Sequence, residues 1–373
     1  MRLVYVLLSP TYGMHAYTAD YANRAAAAGH SVELVTTRSY PAGLYDPAVS
    51  VHPLAAFSNT GLSAESLSLW RWLPLKERIV SLRPELVHFT GPHLWNMLLL
   101  LALARAGLPV LHTIHDLAHH PGARGGRLLQ LWNRRILETA DHILVHGRRF
   151  RRRLLAQGLP AEQVSALPLL HLFGRVEGQP PPSPASLPPL ALYFGRLAPY
   201  KGIETLLAAF ELSAGRSRLN GLGPRLLIAG AGRPPAGALS QPIRGVEWRA
   251  RPIPDVEAAE LFGRCSLVVL PYLQASQSAL IATAYYFAKP VIVTDAGALA
   301  ECVQAGETGW IVPAGDAAAL ADALDEALAD PARLRQMGAA GQAWYHQQRP
   351  AEQRALFQLY ERLAGRAGTG RVP

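Results

Sequence analysis

The sequence predicts an α/β protein built from two doubly wound, Rossmann-like domains, and three observations carry that prediction. Short apolar runs of strand length alternate with segments of helical periodicity from the first residues onward, the pattern of a parallel sheet covered by helices on both faces. The alternation stops at Gln179-Pro180-Pro181-Pro182-Ser183-Pro184-Ala185-Ser186-Leu187-Pro188-Pro189, which can continue neither a helix nor an inner strand, and then it restarts. The 373 residues also exceed the roughly 250 to 300 at which a single core stops growing. Ligand is expected between the facing strand ends of the two domains.

Each element follows from its own residues. Arg2 to Leu8 is an apolar run one strand long, and His15 to Ala28 reads as a helix stopped by Gly29. Ser31 to Thr36, Glu85 to Phe89, Pro109 to His115 and His142 to His146 repeat the strand pattern, with helical spacing at His93 to Ala106 and Arg127 to Thr139. Beyond the prolines the strands are Leu190 to Phe194, Arg225 to Ala229, Ser266 to Leu270 and Val291 to Thr294. Ala317 to Gly365 is rich in helix formers and is expected to be helical, its last segment packing back on the first domain. The expected boundaries are 1–172 for the first domain, 173–189 for a linker, 190–345 for the second domain and 346–373 for a helical tail that frays from Gly368 to Pro373.

Composition sets the class. Half the residues are hydrophobic and 17% are charged, which supports a packed core and excludes a disordered chain. Cys265 and Cys302 are too few for a disulfide framework and lack metal-ligand spacing, which fits a reducing compartment. The run Leu3 to Leu8 is too short for a signal peptide and has no cleavage site. Leu94 to Ala104, interrupted by Asn96, falls short of the roughly 20 residues that span a bilayer. A cytoplasmic protein is expected. The net charge of +9 favours an anionic partner, and much of the excess lies in Arg148-Arg149-Phe150-Arg151-Arg152-Arg153. With Leu154 and Leu155 beside them, these arginines form either a basic amphipathic helix, placing the protein at the inner face of an anionic membrane, or a solvated helix face. No nucleic-acid-binding module is present.

The strongest chemical signal is Gly195-Arg196-Leu197-Ala198-Pro199-Tyr200-Lys201-Gly202. It joins the strand ending at Phe194 to a helix whose Ile203, Leu206, Leu207 and Phe210 share one face. A planar guanidinium and an ammonium in such a loop suit the two phosphates of a nucleotide diphosphate. A second anion site is expected at Ala275-Ser276-Gln277-Ser278-Ala279-Leu280, where Ser276 or Ser278 caps a helix and leaves backbone N–H groups pointing outward. The third loop, Ser9-Pro10-Thr11-Tyr12-Gly13, has a lone glycine, and the dinucleotide fingerprint is absent. Histidines cluster in the first half at His88, His93, His112, His115, His119 and His120, yet no carboxylate or cysteine stands at metal spacing, so no metal is expected. His115 and Asp116 end a strand and are expected to point toward substrate, with a buried structural pair as the alternative.

Taken together, the chain resembles the retaining glycosyltransferases of family 4, which have the GT-B fold. In the second domain the resemblance rests on Gly195-Arg196-Leu197 with Lys201-Gly202, Leu270-Pro271-Tyr272, Lys289-Pro290-Val291-Ile292-Val293-Thr294 with Asp295 and Gly297, and Thr308-Gly309-Trp310-Ile311-Val312. In the first it rests on Thr113-Ile114-His115-Asp116 and Ala140-Asp141-His142-Ile143-Leu144-Val145. It implies an acceptor-side first domain, a donor-side second domain and metal-independent transfer of a hexose, without cofactor, from a nucleotide-diphospho-sugar such as a UDP- or GDP-sugar. The acceptor hydroxyl would belong to a glycan, a lipid-linked sugar or a small molecule, as in polysaccharide or glycolipid biosynthesis. Arg196 and Lys201 would bind the diphosphate, helped by Ser276 and the backbone of Ser278, Ala279 and Leu280, with the Gly13 loop approaching from the first domain. His115 would sit by the transferred sugar, and His15, His93 and Asp116 are further candidates for sugar or acceptor contacts. The family carries two glutamates eight positions apart; here those positions are Ala275 and Thr283. Gln277 can hydrogen-bond sugar hydroxyls but offers no carboxylate. A sugar-nucleotide epimerase on the same fold and a non-catalytic nucleotide-sugar-binding scaffold are the alternatives.

Overall fold

The computed structural model describes residues 1–56, 70–117, 126–174, 176, 189–216, 225–238 and 243–367. The chain divides into two units, Met1–Gly174 with Glu352–Pro373, and Arg175–Ala351. His119, His120, residues 177–188 of the expected linker and the tail Gly368 to Pro373 lie outside the described residues.

In the first unit β1 (Arg2–Leu7) leads to α1 (Tyr12–Ala27), β2 (Ser31–Thr37) and β3 (Val49–Ala55). Then come α2 (Leu73–Ser81), β4 (Leu86–Phe89), α3 (Asn96–Arg105) and β5 (Val110–Ile114). The unit continues with α4 (Gly126–Thr139), β6 (His142–Val145), α5 (Arg148–Ala156) and β7 (Val164–Ala166). The strands form one parallel sheet in the order β3-β2-β1-β4-β5-β6-β7. Alternate residues of β1 serve two cores. Val4 and Val6 pack with Leu99 and Leu103 of α3, whereas Leu3, Tyr5 and Leu7 pack with Tyr17 and Tyr21 of α1. A strand covered on both faces has no solvent side, which is why it reads as an unbroken apolar run.

In the second unit β8 (Leu190–Phe194), α6 (Ile203–Arg216), β9 (Arg225–Ala229) and β10 (Val246–Arg249) are followed by α7 (Asp255–Arg264) and β11 (Leu267–Leu270). Next are α8 (Ala279–Tyr286), β12 (Val291–Thr294), β13 (Gly309–Val312), α9 (Ala317–Ala329) and α10 (Pro331–Ala367). This sheet is also parallel, in the order β10-β9-β8-β11-β12-β13. The doubly wound α/β class expected from the alternation is present in each unit.

From Glu352 onward α10 belongs to the first unit. Leu356, Leu359 and Leu363 join the core on the α1 face, and Arg24 of α1 pairs with Glu352 at 2.8 Å and with Asp20 at 2.8 Å. Beneath them runs a buried chain of hydrogen bonds. His146 Nε2 lies 3.0 Å from Tyr17 Oη, which lies 3.2 Å from Thr113 Oγ1. His88 bridges Thr113 and Tyr360 at 2.8 Å each.

One expectation needs correction, and two features go beyond what was expected. Gly13 is not in a loop: α1 starts at Tyr12, because the Thr11 carbonyl already accepts from the N–H groups of Met14 and His15. The helical stretch from Ala317 is two helices, split where Pro331 follows Asp330, whose carboxylate accepts from Ala332 and Arg333 at 3.0 Å each; proline at a first helical position starts a new helix. The first unit also contains β3 and the second β10, outer strands with exposed or half-buried polar residues that no apolar run announces.

Candidate functional site

Both sheets reverse strand order beside their first strand, and this switch point is where ligands bind an open parallel sheet. In the second unit it falls between β8 and β11, the two strands whose following loops carry the predicted cations and the predicted helix cap. Backbone contacts join those loops. Gly202 has φ +67°, and a Cβ there would overlap the Pro271 carbonyl, so the loop after β8 closes onto the loop after β11 only with glycine in place. The Tyr200 carbonyl accepts from the N–H groups of Leu273 (3.0 Å) and Gln274 (3.2 Å). From the loop after β12, Ala298 donates to the Ser276 carbonyl at 2.9 Å. Gly297 there, at φ +60°, leaves no room for a Cβ beside the Ala275 carbonyl.

This scaffold sets the side chains. The Arg196 carbonyl accepts from Tyr193 Oη at 2.8 Å, and the Arg196 side chain is exposed. Lys201 Nζ lies 3.5 Å from the centre of the Tyr272 ring, a cation held on an aromatic face. Tyr272 is buried, and burial pushes its hydroxyl up to about 12. Ser278 is the cap of α8, its Oγ accepting from Leu280 N–H at 3.3 Å; the first turn of α8 therefore keeps outward-facing N–H donors and positive dipole. Gln277 presents a buried Oε1 that has no hydrogen-bond partner among the described residues. Thr283 is buried, and its hydroxyl donates back to the Ala279 carbonyl at 3.0 Å. Arg196, Lys201 and the segment Ser276 to Leu280 are thus gathered at one sheet end. Sequence reasoning passed over the Tyr272 ring as a seat for Lys201, although the Leu-Pro-Tyr ending of β11 marked the place.

In the first unit His115 follows β5 and donates from Nε2 to the Thr90 carbonyl at 2.9 Å, since a carbonyl can only accept. Its ring stands edge-on to Tyr17 at 4.7 Å between ring centres, and burial lowers its pKa. The neutral ring therefore keeps its lone pair on Nδ1. Asp116 is exposed beside it. His15 and His93 are turned into protein. His15 has no exposed surface, Nδ1 lies 2.7 Å from Tyr45 Oη, and burial lowers its pKa to about 4. His93 Nδ1 accepts from Trp95 N–H at 3.1 Å, and its pKa is also lowered to about 4 by burial. Both rings are buried in the first unit.

Among the described residues no group of three or more His, Cys, Asp or Glu side chains is placed to hold a metal ion. Among the described residues no helix is long and apolar enough to cross a membrane. Cys265 is buried, and its thiol is pushed up to about 12.

Comparison with known proteins places this geometry. Residues 12–169 match the glycosyl transferase 4-like domain, and residues 188–330 match glycosyl transferases group 1. A D-inositol 3-phosphate glycosyltransferase of Nocardia farcinica is 30% identical over 200 residues, 49% of this chain and 43% of that protein. A GDP-mannose:glycolipid 4-beta-D-mannosyltransferase of Xanthomonas campestris pv. campestris is 30% identical over 245 residues, 63% of this chain and 64% of that protein. The chain thus aligns with only part of the length of these relatives. The solved structure of sucrose-phosphate synthase from Thermosynechococcus elongatus superposes with a TM-score of 0.75 at 22% identity, covering 97% of this chain and 99% of that one, which establishes the GT-B fold. The two family matches fall on the two parallel-sheet units, and the chain belongs to the GT-B glycosyltransferases of the group 1 family.

Proposed function

We propose that the protein is a retaining, metal-independent glycosyltransferase that moves a hexose from a nucleotide-diphospho-sugar to an acceptor hydroxyl in glycan or glycolipid synthesis. The observation that carries this is the joining of the β8 and β11 loops at the switch point of the second sheet. It gathers the loops that carry Arg196, Lys201 and the start of α8 at one sheet end, which supports an anion site there. The similarity to a GDP-mannose:glycolipid 4-beta-D-mannosyltransferase supports a nucleotide-sugar donor.

In the reaction the bond between the anomeric carbon and the phosphate oxygen breaks, and negative charge grows on the departing diphosphate. Arg196, Lys201 and the α8 N–H groups stabilise that charge from fixed positions, which is electrostatic preorganisation. The acceptor oxygen bonds to the anomeric carbon on the face the diphosphate leaves, and its proton passes to a phosphate oxygen, so no enzymic base is consumed. His115 Nδ1 accepts a hydrogen bond from a sugar hydroxyl, and Gln277 supplies polar contact where Ala275 and Thr283 offer no carboxylate. The protein works in the cytoplasm, with the α5 side of the first unit toward an anionic membrane surface where the acceptor is lipid-linked.

The test is incubation of the purified chain with UDP-, GDP- and dTDP-sugars and a membrane extract. Donor-dependent release of nucleotide diphosphate with label in product is expected. Arg196→Ala and Lys201→Ala should each lower turnover roughly a hundredfold or more, as for a lost charge-stabilising contact; near-normal rates in both would remove the site assignment. The missing glutamates favour one rival, a nucleotide-sugar-binding scaffold, which would bind donor without turnover. An epimerase would return an altered free sugar nucleotide.

A further inference from the structure

We propose that the first unit carries a separate anion site, suited to a phosphate ester, at the β7 edge of its sheet. Among the described residues β7 pairs only with β6, and α5 packs beside it with Phe150, Leu154 and Leu155 turned into the apolar core. The α5 arginines then divide into two sets. Arg148 and Arg151, three residues apart on one helix face, line a cavity of about 530 Å³ together with Glu162, Ser165 and, from α10, Gln358 and Arg362. Arg149, Arg152 and Arg153 are exposed and do not line it.

Arg151 is held in place: Nε donates to the Val164 carbonyl at 2.9 Å, and a terminal nitrogen donates to the Ala161 carbonyl at 3.3 Å. A guanidinium fixed by backbone carbonyls presents its remaining N–H donors with little further ordering. Three guanidinium groups face one carboxylate, that of Glu162, so the cavity wall carries net positive charge. Guanidinium forks match the oxygens of a phosphate group. The volume is that of a small-molecule site and leaves room for a phosphate bearing an organic group. Two sources share that chemistry, a phosphorylated solute and a phospholipid headgroup.

The site is independent of the donor site in the second unit, and the test separates them by using full-length Arg196→Ala/Lys201→Ala protein as background. Glycerol 3-phosphate is titrated by calorimetry, and binding to phosphatidylglycerol and phosphatidylcholine vesicles is followed by flotation. Saturable binding is expected in at least one arm: glycerol 3-phosphate alone identifies the solute, and phosphatidylglycerol vesicles alone identify the headgroup. Arg362→Gln and Arg151→Gln should each weaken it roughly tenfold or more, the loss of one charge-assisted contact. Arg152→Gln/Arg153→Gln should leave it within about twofold, as for exposed charges outside the cavity. Arg362 is exposed, so its variant keeps the core intact if Arg151→Gln fails to fold. Absence of saturable binding in both arms, or equal loss in Arg152→Gln/Arg153→Gln, would overturn the proposal in favour of diffuse surface charge.

Discussion

The ammonium of Lys201 rests 3.5 Å from the centre of the Tyr272 ring, so the ring decides where one of the two proposed diphosphate cations sits. A desolvated cation on an aromatic face gains up to about 2 kcal/mol. The phenol oxygen adds little, since it lies 3.5 Å from Ser278 Oγ, at the long limit for a hydroxyl pair. Tyr272→Leu should therefore weaken nucleoside-diphosphate binding roughly tenfold, while Tyr272→Phe keeps the ring and stays within about twofold of the parent protein. Titration calorimetry on both variants checks this. Equal losses in the two would shift the role from ring to hydroxyl. Arg196, Lys201 and Ser278 were legible in the sequence because each stands in a strand-to-helix loop with its own local signature. Tyr272 as the seat of Lys201 was not, because 71 residues separate them and only the parallel pairing of β8 with β11 brings their loops together. Similarly, the inward turn of His15 depends on Tyr45, thirty positions away in the chain.

At the scale of elements, the inner strands β1, β5, β8 and β12 were legible because burial on both faces forces continuous apolar runs. The outer strands β3 and β10 carry His52, Pro53, Glu247 and Arg249, residues that edge positions tolerate and that mask strand character. Helix α10 shows a second way in which packing overrides local preference. Gly338 lies within it, where alanine would ordinarily favour the helix by up to about 1 kcal/mol. A Cβ at Gly338, however, would overlap the Ala288 carbonyl, and Ala288 itself is held at φ +53°. Gly338→Ala should accordingly lower the urea midpoint of unfolding. Gly365→Ala, in the same helix with open space around its Cβ, should raise it or leave it unchanged. A gain from Gly338→Ala would mean that α10 can withdraw from the α8–β12 connection without cost.

Across the whole molecule the ionisable groups are distributed unevenly: twelve of the thirteen histidines lie in the first unit. Burial lowers the pKa of His15 and His93 to about 4 and of His112 to about 3, all from 6.5. It also holds His88 and His146 well below that value. For a base whose folded pKa lies below its unfolded pKa, the unfolded chain binds more protons between the two values. Stability then falls as pH drops through 6.5 toward the folded pKa. Each such histidine removes up to about 1.4 kcal/mol per pH unit in that window. The second unit holds one histidine, His346. Lowering the pH from 7.5 to 5, a range above the usual carboxylate pKa values, should therefore weaken the first unit and spare the second. Hydrogen-exchange mass spectrometry across a urea series can follow β4 and β5 against β11 and β12. At pH 5 the first pair should lose protection at clearly lower urea, whereas at pH 7.5 the two transitions lie closer together. An equal shift of both pairs with pH would show that the two units unfold as one cooperative body, and an unchanged β4–β5 transition would show that the buried histidines open to solvent without global unfolding.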